Sequence, residues 1–531
     1  MDDLTRKTFL RLAAAAAVAG TTAPLGAAPA AAAPSAAGHA GGVGGVGTGG
    51  AGGAGAAGGA GTAGGGSVGP GGGAAGAGGE GGAAAGAAGT AAGELGSPDP
   101  GPGWGQVGDI LANTRPPQFR ARDFSISTFG AVADGTTLAT EAIAKAIDAC
   151  HRAGGGRVVV PAGTFLTGAV HLKSNVNLYV SPGATLLFST DPSDYLPVVL
   201  TRFEGQECMN YSPLIYARDC ENIAVTGGGT LDGGATWDNW WSWVTPSGPD
   251  AQALTQLTES GVPVKDRVFG EGHHLRAAFI ETQSCRNVLI EGVTIVRSPF
   301  WEIHPVLSRN ITIRGVHIDS RGPNNDGIDP ESSQYVHIQD CTLDCGDDCI
   351  AIKSGKGADG LRIAVPSENI LIEGCTLNIR YGAITIGSEM TGGVRNVFVR
   401  NCTIGSPNLY FGLYIKTNSV RGGFAENLYL RDLEISNLTK EVVSCNFYRS
   451  EGDTGPLTPR VRNVELRNVN VGHARNAFSI FGYPRSPIQD FRLIDCTYTS
   501  IDAASSIQDT ELTFRNVTVN GRLITDPAQL L

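Results

Sequence analysis

In this chain of 531 residues, 39 Lys and Arg face 50 Asp and Glu, for a formal charge of −11, and 76 residues are glycine. A surface that binds phosphate backbones makes a domain basic, so this balance sets nucleic acid aside, while a local basic groove for an anionic sugar stays compatible with it. No apolar run after the first 33 residues is long enough to span a bilayer, so a membrane partner is not expected either.

Residues 1–33 read as an export signal. Arg6, Lys7 and Arg11 precede an apolar run at 12–19, and small residues at 27–33 offer cleavage points. Lys7 stands where a twin-arginine signal has its second arginine, so the expectation is a secreted protein, extracellular or periplasmic, exported by a twin-arginine-like route. Residues 34–110 are almost all Ala and Gly and read as a disordered linker, having too little to bury. One folded domain is expected over 120–531. Ile143, Ala146, Ile147 and Cys150 recur at helical spacing, with Glu141 and Lys145 as a supporting pair and Gly154 as the stop, which predicts a helix over 140–153. Short β-rich runs at 157–160, 169–172 and 176–180 predict strands.

A motif then recurs: a polar head, two alternating apolar residues, a Gly, Asn or Asp, a small apolar residue, and a further alternation. Its heads are Asn222, Asn287, Asn310, Tyr335, Asn369, Asn396, Asn427, Asn463, Asp490 and Glu511. From Asn287 onward the spacing runs from 21 residues (Asp490 to Glu511) to 36 (Asn427 to Asn463), the period of a solenoid with variable loops. An antiparallel sandwich would show hairpin pairs instead. The fold class expected is therefore all-β, a right-handed parallel β-helix of roughly ten coils capped at its N-terminal end by the 140–153 helix. Cys341, Cys375, Cys402 and Cys496 occupy the place where other copies have Val293 and Val316, so they read as a ladder of small core residues. A disulfide between Cys345 and Cys349 stays open.

Residues 323–354 carry the chemistry. Asn325-Asp326-Gly327-Ile328 and Asp347-Asp348-Cys349-Ile350 read alike, and Asp326 and Asp348 are one solenoid turn apart in sequence, which stacks them across strands about 4.8 Å apart. Acids that close raise one another's pKa, so one can hold a proton near neutral pH while another stays ionised. Glycoside hydrolysis needs that division: a carboxyl for the leaving oxygen and a carboxylate for water. For an Asp-Asp pair alone, a calcium site or solvated turn aspartates compete with this reading. Aligning Ile350/Ile352 with Ile384/Ile386 and Leu413/Ile415 makes Asp347 equivalent to Tyr381 and Lys353 equivalent to Lys416. One face then gathers Asn324, Asp326, Asp347, Asp348, Tyr381, Tyr414 and Lys416. Lysine pairs with a sugar carboxylate and flat rings cover a sugar's apolar face. Nothing in the sequence implies a metal or an organic cofactor.

Over residues 124–499 the chain resembles the polygalacturonase family, glycoside hydrolase family 28. The resemblance rests on Phe129-Gly130-Ala131-Val132-Ala133-Asp134-Gly135, Pro161-Ala162-Gly163-Thr164-Phe165, Ser298-Pro299-Phe300-Trp301 and Asn324-Asn325-Asp326-Gly327-Ile328-Asp329. It continues through Cys345-Gly346-Asp347-Asp348-Cys349-Ile350-Ala351-Ile352-Lys353, Ile386-Gly387-Ser388-Glu389-Met390 and Ile415-Lys416-Thr417-Asn418. The resemblance implies a parallel β-helix and inverting hydrolysis of α-1,4-galacturonosyl bonds, with acid and base roughly 6.5 to 9.5 Å apart. By the family's pattern Asp347 is the general acid, Asp326 and Asp348 hold and activate the water, and Lys416 binds a substrate carboxylate. Two positions depart from that pattern: the family's histidine is Tyr381 and its arginine is Tyr414, losses expected to weaken recognition of plain polygalacturonan. The sequences after Ile386 and Lys416 resemble bacterial members that attack chain ends, and a tryptophan-rich insertion at 237–272 is placed to close one end of the groove. An exo-acting, monomeric enzyme on a pectic poly- or oligosaccharide is expected. The alternatives are a hydrolase of another pectic linkage, such as rhamnogalacturonan, or a non-catalytic carbohydrate-binding β-helix. A lyase would need a calcium cluster and an arginine base, and the paired acid motifs speak against it.

Overall fold

The computed structural model describes residues 103–531; the expected export signal at 1–33 and most of the expected linker at 34–110 lie outside the described residues. The end of that linker is corrected. Trp104–Gln106 form a 3-10 turn that runs into helix α1 (Val107–Asn113). Trp104, Val107 and Ile110 bury themselves on Leu371, Phe398 and Tyr429, which face outward from three successive coils. The Arg431 guanidinium covers the Trp104 indole at 3.8 Å. Composition hid this strap, because three apolar residues at 104, 107 and 110 sit at the edge of a segment otherwise unable to bury anything.

From Asp123 onward the chain winds into parallel coils, and the repeated motif marks their corners. The heads Asn222, Asn287, Asn310, Tyr335, Asn369, Asn396, Asn427, Asn463 and Asp490 all have φ between 50° and 60°. The second polar position is left-handed too, at Gly292, Gly315, Asp340, Gly374, Asn401, Asp432, Asn468 and Asp495. Gly, Asn and Asp enter that region at small cost, which is why the motif favours them, Tyr335 being the exception among these heads. Each corner turns one strand into the next, as Arg309–Arg314 turns into His317–Ser320.

The head asparagines also bond to one another. Asn287 Nδ2 donates to Asn222 Oδ1 (2.9 Å), Asn310 to Asn287 (3.1 Å), Asn396 to Asn369 (3.0 Å), Asn427 to Asn396 (2.9 Å) and Asn463 to Asn427 (2.6 Å), with a break at Tyr335. An amide suits this ladder because it donates on one side and accepts on the other. Asn396→Ala should cost about 2 kcal/mol, from two lost amide bonds and a Cβ residue left in the αL region. Urea denaturation measures this, and an unchanged midpoint would mean that the ladder is idle.

Inside the coils Ile303, Ile328, Ile350, Ile384, Leu413 and Val443 stack in register, all buried. Helix α2 (Thr140–Arg152) buries Ala142, Ile143, Ala146, Ile147 and Cys150 over the N-terminal opening. At the other end Val517–Val519 pairs antiparallel with Arg522–Ile524, and the turn Pro527–Leu530 buries Leu530. All eleven cysteines are free, Cys345 and Cys349 included. The ladder cysteines share one geometry, each thiol donating to the carbonyl two residues back: Cys341 to Gln339 (3.3 Å), Cys375 to Glu373 (3.4 Å), Cys402 to Arg400 (3.3 Å) and Cys496 to Ile494 (3.3 Å).

Candidate active site

The stacked isoleucines fix what lies beside them. Ile328 bridges Ile350, Ile350 pairs with Ile384, and Ile384 with Leu413. Two residues earlier on each rung stand Trp301, Asp326, Asp348, Gly382 and Phe411; one residue before those stand Phe300, Asn325, Asp347, Tyr381 and Tyr410. Backbone bonds lock this register, from Glu302 N–H to Asp326 O (2.9 Å) and from Gly327 N–H to Asp348 O (3.0 Å).

Asn325 and Asn324 divide the work of presenting Asp326. The buried Asn325 amide accepts from Gly322 N–H (2.7 Å) and Ser320 Oγ (2.9 Å) and donates to the carbonyls of Ser298 (3.1 Å) and Phe300 (2.9 Å), so it ties the turn to the preceding coil. Asn324, with φ 56°, accepts from Arg276 Nη2 (2.7 Å).

Asp326, Asp347 and Asp348 each bring a carboxyl oxygen within 4.8 Å of the others. Asp326 and Asp348 sit on adjacent coils, and their carboxyls inherit the strand spacing. Asp348 is fully buried; its Oδ1 accepts from Gly382 N–H (2.8 Å) and its Oδ2 pairs with the Lys416 ammonium. Lys416 is therefore engaged by an acid of the cluster. Asp326 is buried and lies 3.4 Å from Lys353 Nζ. Burial, with the charges of Asp347 and Asp348 outside it and Lys353 opposing, holds Asp326 well above the ordinary carboxylate range. Asp347 is half-buried, and burial followed by the Asp348 charge pushes it up to about 7. The cluster thus contains a more open acid that is protonated near neutrality and a closed one fixed by a backbone N–H and a lysine.

Tyr381 stands one rung beyond Asp347, 38% exposed, its ring edge-on to Tyr410 with centroids 5.2 Å apart. The Tyr414 ring lies 4.8 Å from Lys416 Nζ, and its hydroxyl accepts from Arg449 Nε (3.0 Å). Of the sequence-derived candidates, Asp326, Asp347, Asp348 and Lys416 come together, Tyr414 lies against Lys416, Tyr381 stands on the rung next to Asp347, and Asn324 is held by Arg276.

Sequence reasoning missed the cationic frame. Lys353 Nζ sits among Asp326 (3.4 Å), Asp329 (3.6 Å) and Glu389 (3.4 Å), 4.3 Å from the Trp301 ring centre. Its equivalence to Lys416 was a usable signal. Glu389 in turn pairs with Arg421 (3.1 Å). Arg276 carries no local signal, since its partner Asn324 lies 48 residues on.

The row of acids is closed on its N-terminal side. A hairpin, Val199–Phe203 with Gln206–Asn210, lays Phe203 on Phe300 (centroids 5.0 Å), which stacks in turn on Trp301 (4.8 Å) beneath the Arg276 guanidinium. Buried charges anchor it: Arg202 Nη1 donates to Glu331 Oε1 (2.9 Å), whose Oε2 meets His304 Nε2 (2.8 Å). Although burial opposes it, Glu281 and Glu331 push His304 up to about 9. The insertion backs this wall. Its strand Val268–Phe269 extends the hairpin, helix α3 (Ser247–Glu259) buries Leu254, and Trp241 Nε1 donates to Ser298 O (2.9 Å).

A model for the glycosyl hydrolases family 28 matches residues 269–520, and one for rhamnogalacturonase A/epimerase, pectate lyase-like, matches 124–189. A probable polygalacturonase of Vitis vinifera is 31% identical over 384 residues, 69% of this chain and 72% of the relative. An exo-poly-alpha-D-galacturonosidase of Dickeya chrysanthemi is 28% identical over 459 residues, 76% of this chain and 75% of the relative. Among solved structures, a hyperthermoactive exopolygalacturonase from Thermotoga maritima superposes with a TM-score of 0.77 at 43% identity, covering 79% of this chain and 96% of that one.

Proposed function

Because the chain belongs to glycosyl hydrolase family 28, we propose that it cleaves α-1,4-galacturonosyl bonds of pectic chains from one end, with inversion. It is a glycosidase active on pectin. Asp347, more open than its neighbours and protonated near neutrality, donates its proton to the leaving glycosidic oxygen. Asp348 takes the proton of the attacking water, which Asp326 holds from the adjacent coil. Asn324, Tyr381, Tyr414 and Lys416 contact the sugars, Lys416 turning between Asp348 and a substrate carboxylate.

The observation that carries the exo reading is the wall. Phe203, Phe300 and Trp301 close the row one rung before Asp326, whereas Tyr381 and Tyr410 continue it openly on the other side. A space closed on one side takes a chain end, and the rest of the polymer runs over the C-terminal coils. A secreted monomer fits this reading, exported by the signal expected at 1–33, and no helix among the described residues is long and apolar enough to cross a membrane.

Digestion of polygalacturonate with purified protein should release free galacturonate from the first time point, and proton NMR should show the β-anomer forming first. A ladder of oligomers would point to internal cleavage, unsaturated ultraviolet-absorbing products to a lyase, and a first-formed α-anomer to retention. Release from rhamnogalacturonan alone would move the specificity to the mixed polymer.

A further inference from the structure

On the open side of the acids the row carries a feature that the hydrolytic step does not use. Tyr410 follows Tyr381 in register, its N–H donating to the carbonyls of Arg380 (3.0 Å) and Tyr381 (3.1 Å). At about 4.8 Å per coil, Tyr410 lies two rungs, or about 10 Å, from Asp347. Beside it opens a cavity of about 380 Å³ lined by Ile379, Arg380, Asn408, Tyr410 and Thr439. Lys440 Nζ lies 4.3 Å from the Tyr410 ring centre. Arg380 and Lys440 are both exposed, and neither has a carboxylate partner among the described residues. The backbone is strained to make this corner: Ile379 and Arg380 have φ of 65° and 82°, a region costly for any side chain and most of all for a β-branched one.

We propose that this cavity is a distal subsite for a uronic acid residue on the polymer side of the cleaved bond. The inference rests on the exo reading, which sends the rest of the polymer over these coils. Arg380 and Lys440 bring two positive charges beside the cavity, with Glu441 as the carboxyl adjacent to Lys440, its pKa raised by burial and lowered by that ammonium; neither cation is in ionic contact with an acid among the described residues, and together they make a carboxylate receptor. The Tyr410 ring offers a flat face to the sugar's C–H groups, and Asn408 and Thr439 offer partners for its hydroxyls. A neutral or methyl-esterified sugar would leave both cations unpaired, so the subsite selects free uronate. Positive charge that the family pattern places at 414, and that Tyr414 lacks, is thereby recovered further along the groove.

Arg380→Gln and Lys440→Gln, each built on an Asp347→Asn background that binds without turnover, test the subsite by calorimetry with digalacturonate and tetragalacturonate. Each should weaken tetragalacturonate binding about tenfold or more and digalacturonate far less, with melting temperatures unchanged. Equal losses on both ligands, or no loss on the tetramer, would overturn the proposal. The exo reading is tested apart from it, by galacturonate release from digalacturonate with otherwise unaltered protein. If galacturonate is released and the tetramer still binds the variants as before, the subsite alone falls. If none is released, the exo reading falls and the distal subsite with it.

Discussion

Asp347→Asn is expected to lower kcat on polygalacturonate by about 10²- to 10⁴-fold, the range for losing a general acid, with little change in oligogalacturonide binding. An amide keeps the shape of Asp347 and its contact with the Asp348 N–H (3.1 Å) but has no proton to give. The pH profile supplies the second half of this prediction. An acid catalyst works while protonated, and burial followed by the Asp348 charge holds Asp347 at about 7, so kcat/KM should fall as pH rises through about 7. An alkaline limb below pH 5 would mean that Asp347 titrates as an ordinary carboxyl and that another group is the acid. The same shift has a cost in stability. Its folded pKa lies above its unfolded one, so the native state binds more protons, and stability declines as pH rises from about 4 to about 7.

The largest stability effect is expected at Lys353, which touches no substrate in the proposed mechanism. Lys353→Met removes the one ammonium shared by Asp326, Asp329 and Glu389, all three buried. Breaking a buried ion pair from one side costs about 3–5 kcal/mol, because the remaining charge has neither water nor partner. The sign with pH follows from the acids. Burial already holds Asp326 and Asp329 well above the ordinary range, with Lys353 pulling the other way, so its loss raises them further. The variant's native state then binds extra protons, and its deficit should be greatest at neutral pH and shrink on acidification toward pH 5. Guanidinium denaturation of both proteins at pH 7 and pH 5 measures this, and coincident midpoints at pH 7 would show that the cation is dispensable.

The features legible in the sequence are those set by local conformation. Gly, Asn and Asp recur at the corners because those corners are left-handed, and that periodicity reveals both the solenoid and the stacking of Asp326 on Asp348. The register of Ile350, Ile384 and Leu413 follows from alternation alone and agrees with the pairing in the structure. The end wall was less legible. Phe203 meets Phe300, 97 positions on, Arg276 meets Asn324 across a coil, and neither contact leaves a periodic trace. The strap at Trp104 lies where composition changes too late to be seen.

The closures at the two ends of the solenoid bear on how the protein survives at high concentration. A stack of parallel strands would otherwise present two faces of unpaired backbone, each a template on which another molecule could add rungs and grow a fibre. Helix α2 at one end, and the reversed strand Arg522–Ile524 with its final turn at the other, occupy those templates with the protein's own chain. A molecule built on the geometry of amyloid thus ends its own growth, leaving its long open side free for a polymer of a different kind.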